Sequence, residues 1–568
     1  MRYHALACDY DGTLAHHGRL EPATTEALVR LRETGRKLLM VTGRRLEDLL
    51  AVCPDIGLFD SVVAENGAVI YRPTTRELRL LAEAPPEAFA QALAARGVEP
   101  LAVGHVIVAT WTPHETVVLE EIRRLGLELQ VIFNKGAVMV LPSGINKATG
   151  LAAALHDLGL SPHNTVGVGD AENDHAFLSI CECGVAVANA LPTLKERADM
   201  VTVGDHGAGV IELCDALCSS DLSQVAPRLA RHDIPLGHDS AGRELTLPAY
   251  GASVLIAGTS GSGKSTLAAG ILERLADKGY QYCIIDPEGD YSDYEGTVAL
   301  GDANHAPGAA EVCKLVETGQ NAVVNILALG MEQRPRFFEA LFPHLQELRA
   351  RTARPHWILI DETHHLLPAA WDTSSLPMSQ RHGLLLITVH PEHVSATVLA
   401  SVDGIFVIGQ SPAETLKAFA GALGEPAPPV SPEPLETGEV LVWWRRPRRP
   451  PVRVRSIPSR GERKRHVRKY TEGELGPDKS FYFRGRDGKL NLRAQNLTVF
   501  LQVADGVDDE TWLHHLRRGD YSQWLRHSIK DDALADAVAR IERAPRPSPR
   551  ETRAEVRAAI EERYTAPA

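Results

Sequence analysis

Gly258-Thr-Ser-Gly-Ser-Gly-Lys-Ser-Thr266 satisfies the pattern G-x-x-x-x-G-K-[ST], with Gly258, Gly263, Lys264 and Ser265 in the required places. An apolar run at residues 253–257 precedes it, and a helix-forming segment at residues 267–278 follows. Strand, glycine-rich loop and helix in that order read as an α/β unit. Gly258, Gly261 and Gly263 let backbone N–H groups turn inward around a phosphate, and the helix N-terminus adds its partial positive charge. Lys264 is expected to reach the β- and γ-phosphates of a nucleoside triphosphate such as ATP, with Ser265 on Mg2+ and Thr266 beside it. A flexible Gly/Ser linker is the bland alternative, and the lysine and the flanking elements argue against it.

Outward from this loop, the chain of 568 residues is too long for one core, and three or four domains are expected. Apolar residues make up 44% and charged ones 23%, as in ordinary globular proteins. Sixty Lys+Arg against 73 Asp+Glu leave a net charge of −13, so no chain-wide basic field draws in nucleic acid or anionic lipid. The first residues lack an apolar stretch long enough for a signal peptide, and no run approaches a membrane span. The eight cysteines show no paired C-x2-C spacing, and Cys214 and Cys218 are expected as core thiols on one helix face. A reducing, cytoplasmic setting follows.

Near the start, the apolar run at residues 5–8 leads into Asp9-Tyr-Asp-Gly-Thr13. Carboxylates at i and i+2 of an extended backbone point the same way. Such a pair suits phosphoryl transfer, one attacking phosphorus and the other moving the proton. A turn or a calcium loop could carry the same five residues, so the remaining pattern decides. A second apolar run, residues 37–41, ends in Thr42-Gly-Arg44; Asn146-Lys147 opens a helical segment; residues 165–169 end in Asp170-Ala-Glu-Asn-Asp174. In an open parallel sheet those strand ends converge on one crevice.

Taken together, these motifs resemble the haloacid dehalogenase-like phosphohydrolases, in the branch whose cap is inserted between the second and third motifs (type IIB, Cof-like). The resemblance covers about residues 2–216 and implies a Rossmann-like core with an α+β cap. It makes Asp9 the nucleophile, Asp11 the general acid/base, Thr42 a phosphoryl ligand and Lys147 a charge-balancing group. Mg2+ is then held by Asp9, the Asp11 carbonyl and Asp170, with Asp174 nearby, and an all-oxygen set suits that ion. The domain is expected at residues 1–221, with the cap at about 82–141. Within the cap, Thr112, Pro113 and Glu115 read as N-cap, first turn and capping box of a helix. A cap of this size excludes polymers, so a small phosphorylated metabolite, such as a sugar phosphate, is the implied substrate.

Residues 227–233 read as a linker. Beyond the phosphate loop, Trp357-Ile-Leu-Ile-Asp361-Glu362 is a strand with two carboxylates: Asp361 fits a Mg2+ partner and Glu362 a base for the attacking water. With the strands at residues 384–388 and 404–408, this part resembles the HerA/FtsK-type P-loop ATPases, which implies a RecA-like domain at residues 236–430 and assembly into homo-oligomeric rings. Thr388 and His390 stand where many members carry a sensor glutamine, and Arg349, Arg351 and Arg354 are arginine-finger candidates that a solvated helix end explains equally well. His364-His365 reads as a surface pair rather than a metal site.

Residues 431–470 are expected as a Pro/Arg-rich basic linker, with twelve Lys/Arg in residues 445–469 flanked by Trp443, Trp444 and Tyr470. Nucleic-acid contact and a solvated charge run both fit it. Residues 471–568 read as a mostly helical module. The functional reading is a Mg2+-dependent phosphatase joined to an ATPase. Nucleic-acid end processing by a kinase/phosphatase, and a DNA-stimulated ATPase with a phosphatase effector, are the alternatives.

Overall fold

The structure is a computed structural model, and it describes residues 1–371, 382–446, 449–460, 475, 480–485, 490–529, 531–543 and 548–564. The chain forms two compact units, residues 1–292 with 296–457, and residues 293–295 with 458–568.

In the first part of the larger unit the apolar runs become strands β1 (Ala5–Cys8), β2 (Lys37–Val41), β3 (Ser61–Ala64), β4 (Val69–Arg72) and β5 (Glu77–Leu80). An inserted cap follows with β6 (Ala102–Val103), β7 (Val108–Trp111), β8 (Leu129–Asn134) and β9 (Ala137–Pro142). The chain then returns through β10 (Thr165–Gly169), β11 (Cys183–Ala186) and β12 (Met200–Val201). The main sheet has the order β12-β11-β10-β1-β2-β3-β4-β5, parallel from β12 to β3. The longer α-helices of this half are α1 (Pro22–Glu33), α2 (Glu87–Ala95), α3 (Glu115–Arg124), α4 (Lys147–Asp157) and α5 (His206–Ser220), with α2 and α3 in the cap.

The cap sheet runs β8-β9-β7-β6, all antiparallel. Strand β9 has two apolar faces. Val138 and Val140 pack with Phe89 and Val118 in the cap's own core, while Met139 and Leu141 join the core of the main sheet. The period of two thus seats the cap on the main sheet. Helix α3 begins at Glu115 with His114 at its N-cap, not at Thr112. The Thr112 N–H donates to the Gly136 carbonyl at 2.9 Å, so Thr112 extends the strand pairing instead of capping a helix. Of the two cysteines expected in the core of α5, Cys214 is buried and Cys218 exposed, and all eight thiols are free.

The second half of the unit is built on β13 (Ile234–Asp239), β14 (Glu244–Leu247), β15 (Ser253–Gly258), β16 (Tyr282–Asp286), β17 (Thr297–Leu300), β18 (Asn321–Asn325), β19 (Trp357–Ile360), β20 (Leu384–Thr388), β21 (Gly404–Ile408), β22 (Glu439–Trp444) and β23 (Val452–Ser456). Their order is β14-β13-β23-β22-β21-β15-β20-β19-β16-β18-β17, with α6 (Lys264–Asp277) following β15 and α7 (Arg334–Thr352) preceding β19. Strand β20 lies between β15 and β19, the additional strand that the ATPase resemblance implies. Two strands come from the segment expected as linker. Val454 points inward between the Arg453 and Arg455 side chains, and Trp443 is buried against Phe419. Arg445 donates to the Leu399 and Val402 carbonyls and pairs with Glu425. These residues are therefore parts of a sheet. The remainder of the basic run at residues 447–448 and 461–469, and Tyr470, fall outside the described residues.

The two halves meet at the amino-terminal ends of their strands. His163 and Asn164, just before β10, and Glu182, before β11, face Lys278, Tyr280 and His356 of the other half. The expected linker at residues 227–233 is docked: Arg231 holds Asp199 and the Cys181 carbonyl, and Lys278 donates to the Arg231 and Asp233 carbonyls. The smaller unit packs helices 497–506, 509–518, 532–542 and 549–564 and a short hairpin around Phe483, Trp512, Tyr521 and Leu525.

Candidate active site

Asp9 follows β1, Thr42 follows β2, Asp170 follows β10, and Lys147 is the first residue of α4. All are buried at the carboxyl end of the sheet. Asn146 starts α4 as a capping box, accepting from the N–H groups of Ala148 and Thr149, which fixes where Lys147 begins. Lys147 Nζ donates to Asp9 Oδ1 and Asp174 Oδ1, both at 2.6 Å. Asp174 Oδ2 accepts the N–H groups of Asp170 and Ala171 at 2.8 and 2.9 Å, so Asp174 orients the loop that carries Asp170. Burial works against the Lys147 ammonium, but Asp174 and Asp9 outweigh it and hold it above the usual lysine range. Burial, then the Asp174 charge, push Asp9 up to about 8 against the pull of Lys147.

Asp9, Asp170 and Asp174 each bring a carboxylate oxygen within 4.8 Å of one another. Lys135, from the cap, places its ammonium 2.7 Å from Asp170 Oδ2 and 3.3 Å from the Asp11 carbonyl. Buried acids with positive charge drawn among them, and oxygen as the only donor, fit a hard divalent cation such as Mg2+. Gly12 has φ 91°, and a Cβ there would lie 2.3 Å from Asp170 Oδ2, so the approach of this turn to the acids needs glycine.

Arg44 grips Asp11 with two bonds, Nε to Oδ2 at 2.5 Å and Nη2 to Oδ1 at 2.6 Å. Thr42 Oγ1 accepts the Arg44 N–H at 3.2 Å. At the mouth, His206 Nδ1 and Asn189 Nδ2 reach the Gly12 carbonyl at 2.9 and 2.8 Å. Glu65, fully buried after β3, accepts the N–H groups of His105, Val106 and Ile107 at 2.9, 2.8 and 3.0 Å and so ties the cap to the core.

In the other half, Gly258 ends β15 with φ 158°, and a Cβ there would sit 2.1 Å from the Ile408 carbonyl. Gly261 and Gly263 have φ of 74° and 98°, and Gly263 is the N-cap of α6. Lys264, Ser265 and Thr266 open that helix, and Lys264 Nζ donates to the Thr259 carbonyl at 3.0 Å. Asp361 directly follows β19 and is pushed up to about 8 by burial and by Glu362 and Asp286. Glu362 has φ 40°, a strained backbone of the kind kept at functional positions. Burial raises its carboxyl above the usual range while Lys264 opposes that shift.

Residues 6–100 and 102–213 match the haloacid dehalogenase-like hydrolase family, and residues 248–351 match the central domain of the HerA helicase. The phosphoglycolate phosphatase of Methanothermobacter thermautotrophicus is 33% identical over 218 residues, covering 37% of this chain and 96% of that protein. The phosphoglycolate phosphatase of Haloarcula marismortui is 35% identical over 217 residues, covering 36% of this chain and 94% of that protein. The chain belongs to the haloacid dehalogenase-like hydrolases. A solved haloacid dehalogenase-like hydrolase from Bacteroides thetaiotaomicron aligns with a TM-score of 0.34 at 19% identity, over 38% of this chain and 99% of that one.

The structure brings Asp9, Asp11, Thr42, Lys147, Asp170 and Asp174 of the hydrolase half into one site, and Gly258, Gly261, Gly263, Lys264, Ser265 and Thr266 onto one loop and helix start. Arg349 is not a finger: it donates to the carbonyls of Pro355, His356, His382 and Gly383 and is structural. Arg351 pairs with Glu317, and Arg354 donates to the Gly159 carbonyl of the hydrolase half. Nor is His364-His365 a surface pair, since His364 meets Thr388 Oγ1 at 3.1 Å and His365 meets Arg334 at 3.1 Å. Sequence reasoning gave no role to Lys135 or Arg44, while Glu65-Asn-Gly-Ala68 resembled the family's link from the core strand toward the cap, where Glu65 does stand. Arg44 stood inside the Thr42-Gly-Arg44 motif, which was its signal; Lys135 gave none.

Proposed function

We propose that the hydrolase half is a Mg2+-dependent phosphatase of small phosphomonoesters and that the HerA-like half binds and hydrolyses ATP. The observation that carries the first reading is Lys147 bridging Asp9 and Asp174 at the floor of the site. An Asp9 oxygen attacks phosphorus, the bond to the leaving oxygen breaks, and Asp11 supplies that oxygen with a proton. Asp11 then takes a proton from water, whose oxygen attacks the same phosphorus and frees phosphate from Asp9. Arg44 occupies both Asp11 oxygens and must release one for that transfer. Mg2+, held by Asp9, Asp170 and the Asp11 carbonyl, would neutralise charge on the phosphoryl oxygens. Thr42 would hydrogen-bond those oxygens. The relatives named phosphoglycolate phosphatase make 2-phosphoglycolate the first substrate to test, ahead of sugar phosphates.

For the second half, Lys264 and the loop glycines cradle the triphosphate, Ser265 and Asp361 serve its Mg2+, and Glu362 orients the attacking water. The HerA match favours a DNA-stimulated, ring-forming ATPase over an end-processing kinase. ATP turnover that duplex DNA does not raise at low salt removes that version. Eight free thiols fit the reducing cytoplasm, and among the described residues no helix is long and apolar enough to cross a membrane. Purified protein is expected to hydrolyse p-nitrophenyl phosphate with Mg2+ and to lose that activity in EDTA and in Asp9→Asn. Activity surviving in Asp9→Asn rules out attack by Asp9.

A further inference from the structure

Lys135 sits at the tip of the hairpin joining β8 and β9, in a two-residue turn where Asn134 faces Ala137. Its φ is 48° and that of Gly136 is 86°, the left-handed pair such a turn requires. For a lysine that backbone is strained, and such strain is retained where a side chain is needed in one place. The turn aims the Lys135 side chain out of the cap and toward the core. Its ammonium donates to Asp170 Oδ2 at 2.7 Å and to the Asp11 carbonyl at 3.3 Å. Those are two of the oxygens assigned above to Mg2+. Arg96 and Arg124, also in the cap, are spent on Glu121 and do not play this part.

An ammonium and a divalent cation do not share two oxygens, because like charges about 3 Å apart repel strongly in a half-buried site. A cation held by these oxygens would therefore displace the Lys135 head, while the hairpin would keep it between cap and core. That space is where the leaving group of a phosphomonoester lies once its phosphorus faces Asp9. We propose that Lys135 is the specificity-determining residue of the phosphatase site, pairing with a carboxylate on the leaving group once metal has taken its present oxygens. The inference rests on the phosphatase reading and deepens it by naming the residue that selects small phosphomonoesters whose leaving group is itself anionic.

The test compares wild type, Lys135→Met and Lys135→Arg on 2-phosphoglycolate and on p-nitrophenyl phosphate, both with saturating Mg2+. Lys135 is half exposed, and circular dichroism checks that each variant is folded. Lys135→Met is expected to raise KM for 2-phosphoglycolate about tenfold or more, as for loss of a charge-assisted hydrogen bond. Its kcat/KM for p-nitrophenyl phosphate should stay within about threefold of wild type, and Lys135→Arg should keep most of the preference. Without substrate, Lys135→Met should bind Mg2+ more tightly by calorimetry, because a competing cation is gone. Parallel losses on both substrates, an unchanged KM for 2-phosphoglycolate, or Mg2+ affinity that does not rise each overturn the proposal. Wild type inactive on both substrates overturns the phosphatase reading itself, whereas wild type and Lys135→Met acting alike on both sinks this inference alone.

Discussion

At Lys147 one buried ammonium serves two carboxylates, Asp9 and Asp174, each at 2.6 Å. Its side chain is 1% exposed, so water cannot stand in for it. Lys147→Met leaves both acids unpaired in the interior, and removing one partner of a buried ion pair costs about 3–5 kcal/mol. A lower urea midpoint is therefore expected, with loss of phosphatase activity, and Lys147→Met/Asp174→Asn should recover part of the midpoint but none of the activity. A midpoint equal to wild type would show that the pair carries no net stability. Asp9, Asp11, Lys147 and Asp170 were legible in the sequence because each stands directly after an apolar strand or at a capped helix start. Lys135 was not, because it acts 35 residues from Asp170 and its aim depends on how a separate cap sheet is seated. Arg349 misled for the opposite reason: a charged residue near a helix end resembles a finger until its four carbonyl partners are seen.

Strands and helices were read well where the period was plain, and less well where an element borrows its partner from far away. Residues 452–456 alternate valine and arginine, which suits a strand's outer face. Only pairing with β22 and β13 makes them part of the HerA-like half's sheet. The start of α3 was misplaced because Thr112 has a strand partner, Gly136, that lies beyond the helix. Glu65 shows what such distant pairing does for function. Its carboxylate gathers three successive N–H groups at residues 105–107, so the cap is hung on the end of β3. Glu65→Gln keeps the shape but replaces one acceptor oxygen with a donor and weakens the charge-assisted bonds. Faster hydrogen exchange at residues 105–107 is expected, with kcat/KM for p-nitrophenyl phosphate down about tenfold, since a loose cap positions substrate poorly. Unchanged exchange there would mean the cap is held by Met139 and Leu141 alone.

Across the larger unit, both sites lie at the carboxyl ends of their sheets while the halves join at the amino ends. Arg2, His163 and Tyr280 converge on Glu182 at 2.6, 2.9 and 2.8 Å. Burial works against the Glu182 carboxylate, but His163, His232 and Arg2 outweigh it and hold it at about 2. His356 accepts from the Gln281 N–H and faces Asn164 through its other nitrogen. From Asn164 to Asp170, and from His356 to Asp361, each parallel strand advances about 3.3 Å per residue away from the join, so each set of acids lies roughly 15–20 Å along its own strand from it. A linker at residues 227–233 would have held two cores apart and left their chemistry independent. The cores are in fact packed together, and what keeps the two sites apart is that each lies at the far end of its strands from the join. Lys264→Ala removes the charge that faces the triphosphate and is expected to abolish ATP binding, while p-nitrophenyl phosphate hydrolysis stays within about twofold of wild type, as for distant sites without shared partners. Asp9→Asn should do the reverse. Stability is another matter, because Glu182 belongs to both halves, and Glu182→Gln should lower the melting temperature seen by either activity. Loss of phosphatase activity in a folded Lys264→Ala would instead show a two-state element biased by both ligands, and Lys278, just past the end of α6 on the His163 side of the join, is where that coupling would cross.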